Sequence, residues 1–137
     1  MVDILKDYAA LPVVEISWGE FFDRLTILQI KLEKLQDPDR LTSVQTMLNS
    51  LAESGRELES FPVDIQHSAR ALKEVNSKLW DIEEGKRQCE RKKDFGSEFV
   101  ALARSVYIEN DKRAQLKREI DLKLGSRLIE VKSYKPY

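Results

Sequence analysis

Ser17-Trp18-Gly19-Glu20-Phe21-Phe22-Asp23-Arg24-Leu25-Thr26-Ile27-Leu28-Gln29-Ile30-Lys31-Leu32-Glu33-Lys34-Leu35-Gln36 is the stretch on which the fold turns. Phe21, Leu25, Leu28, Leu32 and Leu35 recur at steps of four and three, the spacing that lays side chains along one stripe of an α-helix. Phe22, Ile27 and Ile30 fall off that stripe, and a helix apolar on several sides is enclosed by its neighbours. Ser17 and Glu20 match the capping box, in which each side chain satisfies the other residue's backbone N–H. The spacing therefore predicts a central helix from Trp18 to about Gln36.

Working outward, Asp37-Pro38 stops this helix and starts another, with Asp37 as cap and Pro38 at the first helical position. The second helix runs to about Leu58 with a single stripe of Leu41, Val44, Leu48 and Leu51, which makes it peripheral. After the break at Phe61-Pro62, Asp64 caps a third helix that carries Ile65, Leu72, Val75, Leu79, Ile82 and Cys89 as far as Lys92. Asp94-Phe95-Gly96-Ser97 turns the chain, and a fourth helix capped by Ser97 runs to Leu124, with Gly125 as its C′ residue. Short connections make consecutive helices antiparallel neighbours, so the expected fold is all-α, an up-down four-helix bundle. Val13–Ile16 and Leu128–Val131 read as extended and are expected to pair as a two-stranded ribbon. All 137 residues form one domain, with 1–12 as an N-terminal arm.

Charge is unevenly spread around a net of −1. Residues 1–64 sum to −6, residues 65–111 to zero and residues 112–137 to +5. Near-equal opposite sums favour a basic C-terminal helix packed on the acidic N-terminal half over a basic tail for an anionic partner. No apolar run approaches the roughly 20 residues that span a bilayer, and the N-terminus lacks the basic region of a signal peptide. A single cysteine excludes an internal disulfide framework, so a cytoplasmic, reducing location and no membrane association are expected.

Charged residues also enter the packing faces. On the fourth helix Asn110, Arg113 and Lys117 fall inside the stripe of Phe99, Leu102, Val106, Ile120 and Leu124, with Glu109 at its edge. On the third, the stripe turns polar at Glu83, Lys86 and Glu90. On the first, Glu20, Asp23, Lys31 and Lys34 share a face with Ile27. Helical neighbours three and four residues away can serve Glu109 (with Arg113), Glu83 (with Arg87) and Glu20 (with Arg24). Asp23 and Lys31 have no such neighbour of opposite sign. In a central helix they require partners on other helices, since an unpaired buried charge is very costly. Arg113 and Lys117 are the candidates for Asp23, and Glu83, Glu90 or Glu109 for Lys31. Glu20, Asp23, Lys31, Glu83, Glu109, Asn110, Arg113 and Lys117 thus form the candidate polar layer. It reads as an interhelical ion-pair layer that fixes register or a solvated groove, with a pocket in which Arg113, Lys117 and Lys31 hold an anion, or a divalent-metal site on Glu20 and Asp23, as the sharper alternatives.

Other chemistries lack their residues. His67 and Cys89 are each alone of their kind, which removes the usual zinc clusters and Cys-His or Ser-His-Asp catalysis. His67 reads as a surface residue and Cys89 as a small core residue. No glycine-rich phosphate cradle occurs. Glu20-x-x-Asp23 and Asp81-x-x-Glu84 could present carboxylates to Mg²⁺, loosely resembling pairs in all-α nucleotide pyrophosphohydrolases, but the pairs lie too far apart and Asp81 faces away from the apolar stripe. Lys86-Arg87 and Arg91-Lys92-Lys93 are interrupted by acids and have no aromatic ladder, so nucleic acid is not an expected partner. No cofactor or bound metal is expected.

The stretch Glu15–Lys31, with Leu79-Trp80-Asp81-Ile82-Glu83, Asn110–Lys117 and Gly125-Ser126 through Glu130–Tyr134, resembles a bacterial family of uncharacterised helical proteins of about this length. The resemblance implies a bacterial source and a helical fold, and brings no activity or catalytic residues. The matching stretches hold Glu20, Asp23, Lys31, Asn110, Arg113 and Lys117, which marks the polar layer as the place to look. Function is expected to be non-enzymatic protein interaction, with self-association as a homodimer through a helix face or the ribbon. The alternative is a small-anion or nucleotide binder, with or without Mg²⁺, using the polar layer.

Overall fold

Helices start and stop close to the punctuating residues. The computed structural model describes residues 8–55, 57–132 and 134–137, and these hold α1 (Trp18–Lys34), α2 (Pro38–Ser54), α3 (Val63–Lys92) and α4 (Ser97–Leu124). Asp37 caps α2 through its side chain with Pro38 following, and Gly125 closes α4 in the left-handed region at φ 65°. Four boundaries move. α1 ends at Lys34 rather than near Gln36, and α2 at Ser54 rather than near Leu58, with Leu58–Ser60 a separate 3₁₀ turn. Asp64 and Ser97, expected as caps, lie inside α3 and α4, whose cap positions are Pro62 and Gly96 without a side-chain bond. At the end of α2 Gly55 sits against the ring of Phe21, where any β-carbon would overlap the aromatic carbons.

The helices are arranged as two hairpins. Gly85 of α3 faces Leu102 of α4, and Asn76 and Arg113 converge on the same carboxylate, which makes α3 and α4 an antiparallel pair. α1 packs against α2, α3 and α4, as its apolar sides require, whereas α2 packs among the helices on α1 alone. The second and third helices are therefore not neighbours. The connection between them sends Phe61 into the core instead, where its ring stands edge-on to Phe22 and Trp18 at 5.1 and 5.4 Å.

The core lies at one end of the bundle. Phe21, Phe22, Phe61, Ile65, Ala69, Leu72 and Ile120 form it, with Trp18, Leu25, Leu51, Leu116 and Leu124 packed around them. Beyond this end the α3–α4 hairpin continues with little cover. Cys89 is the one buried residue of α3 past Asn76, and α4 buries nothing before Glu109.

The expected ribbon does not form: the described residues contain no strand. The two segments do lie together, joined by an Arg127–Glu15 ion pair. Side chains engage the backbone around them instead: Trp18 N–H donates to Ser126 Oγ at 3.2 Å, Glu130 N–H to Asp121 Oδ2 at 2.8 Å, and Arg118 to the Glu130 carbonyl at 3.2 Å. Both backbone groups of Glu130 are thereby engaged and unavailable to a ladder. Of the expected arm, residues 1–7 lie outside the described residues, and Leu11, Val13 and Val14 lie outside any helix, all three exposed.

Candidate functional site

Three helices converge on Asp23, whose side chain is 2% exposed. Arg113 of α4 grips it with both arms of its guanidinium, Nε to Oδ1 at 2.8 Å and Nη2 to Oδ2 at 2.6 Å. This bidentate fork is the strongest geometry for a carboxylate. Asn76 of α3 donates to Oδ1 at 3.0 Å and to Thr26 Oγ1 at 3.0 Å, while Thr26 donates to the Asp23 carbonyl. One side chain of α1 thereby fixes the register of α3 and α4 against it.

One turn along α4, Lys117 is held by Glu20 at 2.9 Å and Glu130 at 3.1 Å, with Asp23 at 4.0 Å. Burial alone lowers the Lys117 amine, but hydrogen bonds to Glu20 and Glu130 and the charge of Asp23 outweigh it and leave it above the ordinary lysine value. Glu20 shows the converse. Burial raises its carboxyl, yet the hydrogen bond and charge of Lys117, with the bond from Arg24, bring it below the ordinary value. The hydrogen bond to Asp23 raises Arg113 further still.

A turn further on, Asp121 is fully buried. Its Oδ1 accepts the Gly19 N–H at 2.6 Å, and its Oδ2 accepts the Glu130 N–H. The first amides of α1 are thus satisfied by Ser126, Asp121 and, for Glu20, by Ser17 Oγ at 3.0 Å. A carboxylate at a helix N-terminus also meets the positive end of the helix dipole. Half of the expected capping box is realised; the Glu20 side chain turns to Arg24 and Lys117.

Of the eight residues read from sequence, Glu20, Asp23, Arg113 and Lys117 meet in this cluster, and Asn110 joins through Arg113 at 3.4 Å. Lys31, Glu83 and Glu109 do not. Glu83 pairs with Lys86 and Glu109 with Lys112, each three residues on along its own helix, instead of with Arg87 and Arg113. Lys31 has no ion pair among the described residues and lines a groove of about 460 Å³ with Trp80 and Asp39. It is half-buried, without the interhelical partner expected for it. Glu109 Oε2 is buried without a hydrogen-bond partner. His67 is exposed and Cys89 buried, as expected.

Sequence reasoning missed Asn76, Asp121, Ser126 and Glu130. One signal was available: residues 112–137 hold only three acids, Glu119, Asp121 and Glu130, and two of them enter the cluster. The expectation that the basic C-terminal segment packs on the acidic N-terminal half holds, through Asp23–Arg113, Glu20–Lys117 and Glu15–Arg127.

Glu20, Asp23, Asp121 and Glu130 outnumber Arg24, Arg113 and Lys117 by one charge, and each cation already faces a carboxylate. A groove of about 370 Å³, lined by Ile30, Leu79, Trp80 and Arg87, opens beside Arg113. Among the described residues no three His, Cys, Asp or Glu side chains converge as metal ligands would, and no helix is long and apolar enough to cross a membrane. The fold and its cluster define an all-helical bundle protein whose helices are joined by ion pairs centred on the buried Asp23. The chain belongs to a family of unknown function (DUF6165), whose model matches residues 12–136. No curated protein and no solved structure matches it.

Proposed function

We propose that this protein is a non-enzymatic helical assembly module that works by binding another protein chain. The observation that carries this is its surface. A compact monomer of 15.9 kDa exposes about 7,400 Å² by the usual scaling of area with mass, whereas this chain exposes 10,245 Å². On the outer half of the α3–α4 hairpin Phe95, Val100 and Tyr107 are roughly half exposed. Apolar side chains exposed together are a common mark of interaction sites. The buried Cys89 thiol is free, which fits a reducing compartment such as the cytoplasm.

The competing reading, a small-anion or nucleotide binder, has in its favour Arg113 on the wall of a groove next to Trp80 and Arg87. Against it, the guanidinium is spent on Asp23, and the cluster carries more negative than positive charge.

Light scattering across a concentration series, paired with affinity capture from the native host and mass-spectrometric identification, tests the leading reading. Self-association or a stoichiometric protein partner is expected. A chain that stays monomeric and brings down no protein in stoichiometric amount overturns it.

A further inference from the structure

Two helices alone cannot bury an apolar stripe on each, and a third element or a second pair is needed to enclose it. In the inner half of the α3–α4 hairpin α1 provides that cover, meeting α4 at Arg113, Lys117 and Asp121. At 100° per residue the same face of α4 continues outward through Asn110 to Val106, Ala103 and Phe99. There it is only half-buried, with Val100 and Tyr107 exposed beside it. The face that α1 covers at one end is uncovered at the other. α1 has 17 residues against 30 in α3, about 20 Å shorter at 1.5 Å per residue.

We infer that a second copy of this chain covers this face, with α4 packed antiparallel on its counterpart about a twofold axis near Ala103. Two outer hairpins would then complete an intermolecular four-helix bundle. This rests on the assembly reading above and names its partner. Charge favours a second copy over a nucleic acid or an anionic bilayer. Residues 77–108 carry six acids and seven bases, and both signs lie on the flanking turns of α3, where Glu83 and Lys86 pair at 3.1 Å. A surface near neutrality and mixed in sign can meet itself without repulsion, whereas nucleic acid or an anionic bilayer calls for a strong basic excess. Ala103 between Phe99 and Val106 gives the centre of the stripe a small residue, which lets two helix backbones approach.

The full-length chain is expected to show twice its monomer mass in light scattering. The double variant Val100→Glu, Ala103→Glu is expected to weaken the dimer at least 100-fold, while helical circular dichroism and the ion-pair cluster persist. Val13→Glu, on the exposed N-terminal segment, is expected to leave the dimer intact. Should the double variant misfold, Cys89→Ser with Ala103→Cys gives a second measurement: mild oxidation yields a disulfide-linked dimer if Ala103 faces its own copy. A wild-type dimer that ignores the hairpin substitutions and gives no cross-link, or that is lost with Val13→Glu, overturns the surface assigned here and leaves the assembly reading standing. A monomeric wild type that captures a different protein overturns the second copy as partner. A monomer that captures none overturns both.

Discussion

The Asp121 carboxylate accepts the Gly19 amide at 2.6 Å across 102 residues of sequence, so that the last turn of α4 caps the first turn of α1. The contact depends on how closely the two helices approach. A β-carbon at Gly19 would lie 2.8 Å from Asp121 Oδ1 and overlap the Lys117 carbonyl. Glycine is needed there for space, not for a special backbone conformation.

Gly19→Ala should therefore destabilise the fold by about 1–3 kcal/mol, the usual cost of forcing an extra carbon into a packed interface. In an open helix the same change is normally favourable by up to about 1 kcal/mol, so the sign itself is diagnostic. Urea denaturation of the two proteins measures it, and an unchanged or raised midpoint would remove the close approach from the account.

Replacing Asp121 with Ala orphans two amides, that of Gly19 in buried surroundings and that of Glu130 in part-buried ones. Each costs about 1–3 kcal/mol when left unsatisfied, so Asp121→Ala is expected to lose several kcal/mol. Asp121→Asn retains one acceptor oxygen and should lose less. Hydrogen exchange at the Gly19 and Glu130 amides separates the two. Asn should speed exchange at one amide, and Ala at both.

The Asp23–Arg113 fork predicts an asymmetry between breaking the pair and replacing it. Asp23→Ala alone leaves Arg113 and Asn76 without their acceptor and should cost about 3–5 kcal/mol, whereas a matched apolar pair such as Asp23→Leu with Arg113→Met should recover much of that loss. Arg113→Lys should also be destabilising, because an ammonium cannot reproduce two parallel hydrogen bonds. A double-mutant cycle by thermal or chemical unfolding reads the coupling; additive single effects would show that the pair does not act as a unit.

Glu20 and Lys117 set the pH range of the cluster. The Glu20 carboxyl is lower in the folded state than its reference of 4.5, so its contribution is complete above that reference and fades as pH falls through the folded value. The Lys117 amine is higher than its reference of 10.5, so its contribution is complete below that reference and fades as pH rises through the folded value. Stability should be level between the two limits. Glu20→Gln should shallow the acid limb and Lys117→Met the alkaline one, as melting temperature across pH would show; unchanged limbs would contradict these shifts.

Since each cation of the cluster faces a carboxylate, a thermal-shift panel of nucleotides, sugar phosphates and divalent metals should leave the melting temperature unchanged. A ligand present at 100 times its Kd would stabilise by about 2.7 kcal/mol. A clear upward shift with any phosphate compound, abolished by Arg113→Lys, would restore the anion-binding reading.

What the sequence determined by itself is local. Stripe spacing, Asp37-Pro38, Ser17 and Gly125 specify four helices and several of their ends, because caps, breakers and amphipathic periods act within a few residues. The lack of any neighbour of opposite sign for Asp23 also foretold an interhelical partner, and Arg113 is that partner. The tertiary structure decided the rest. It separated α2 from α3 by drawing Phe61, which reads as a chain breaker, into the core. It also gave the backbone of Glu130 side-chain partners in Asp121 and Arg118, where a ribbon would have used the opposing segment. Of two residues with the same local signature, it buried Asp23 and left Lys31 at the rim of a groove. The reason is distance along the chain. Which carboxylate is enclosed and which amides it serves depend on the angle and closeness at which α1 crosses α4. That geometry is set by packing between residues a hundred positions apart, and no local pattern encodes it.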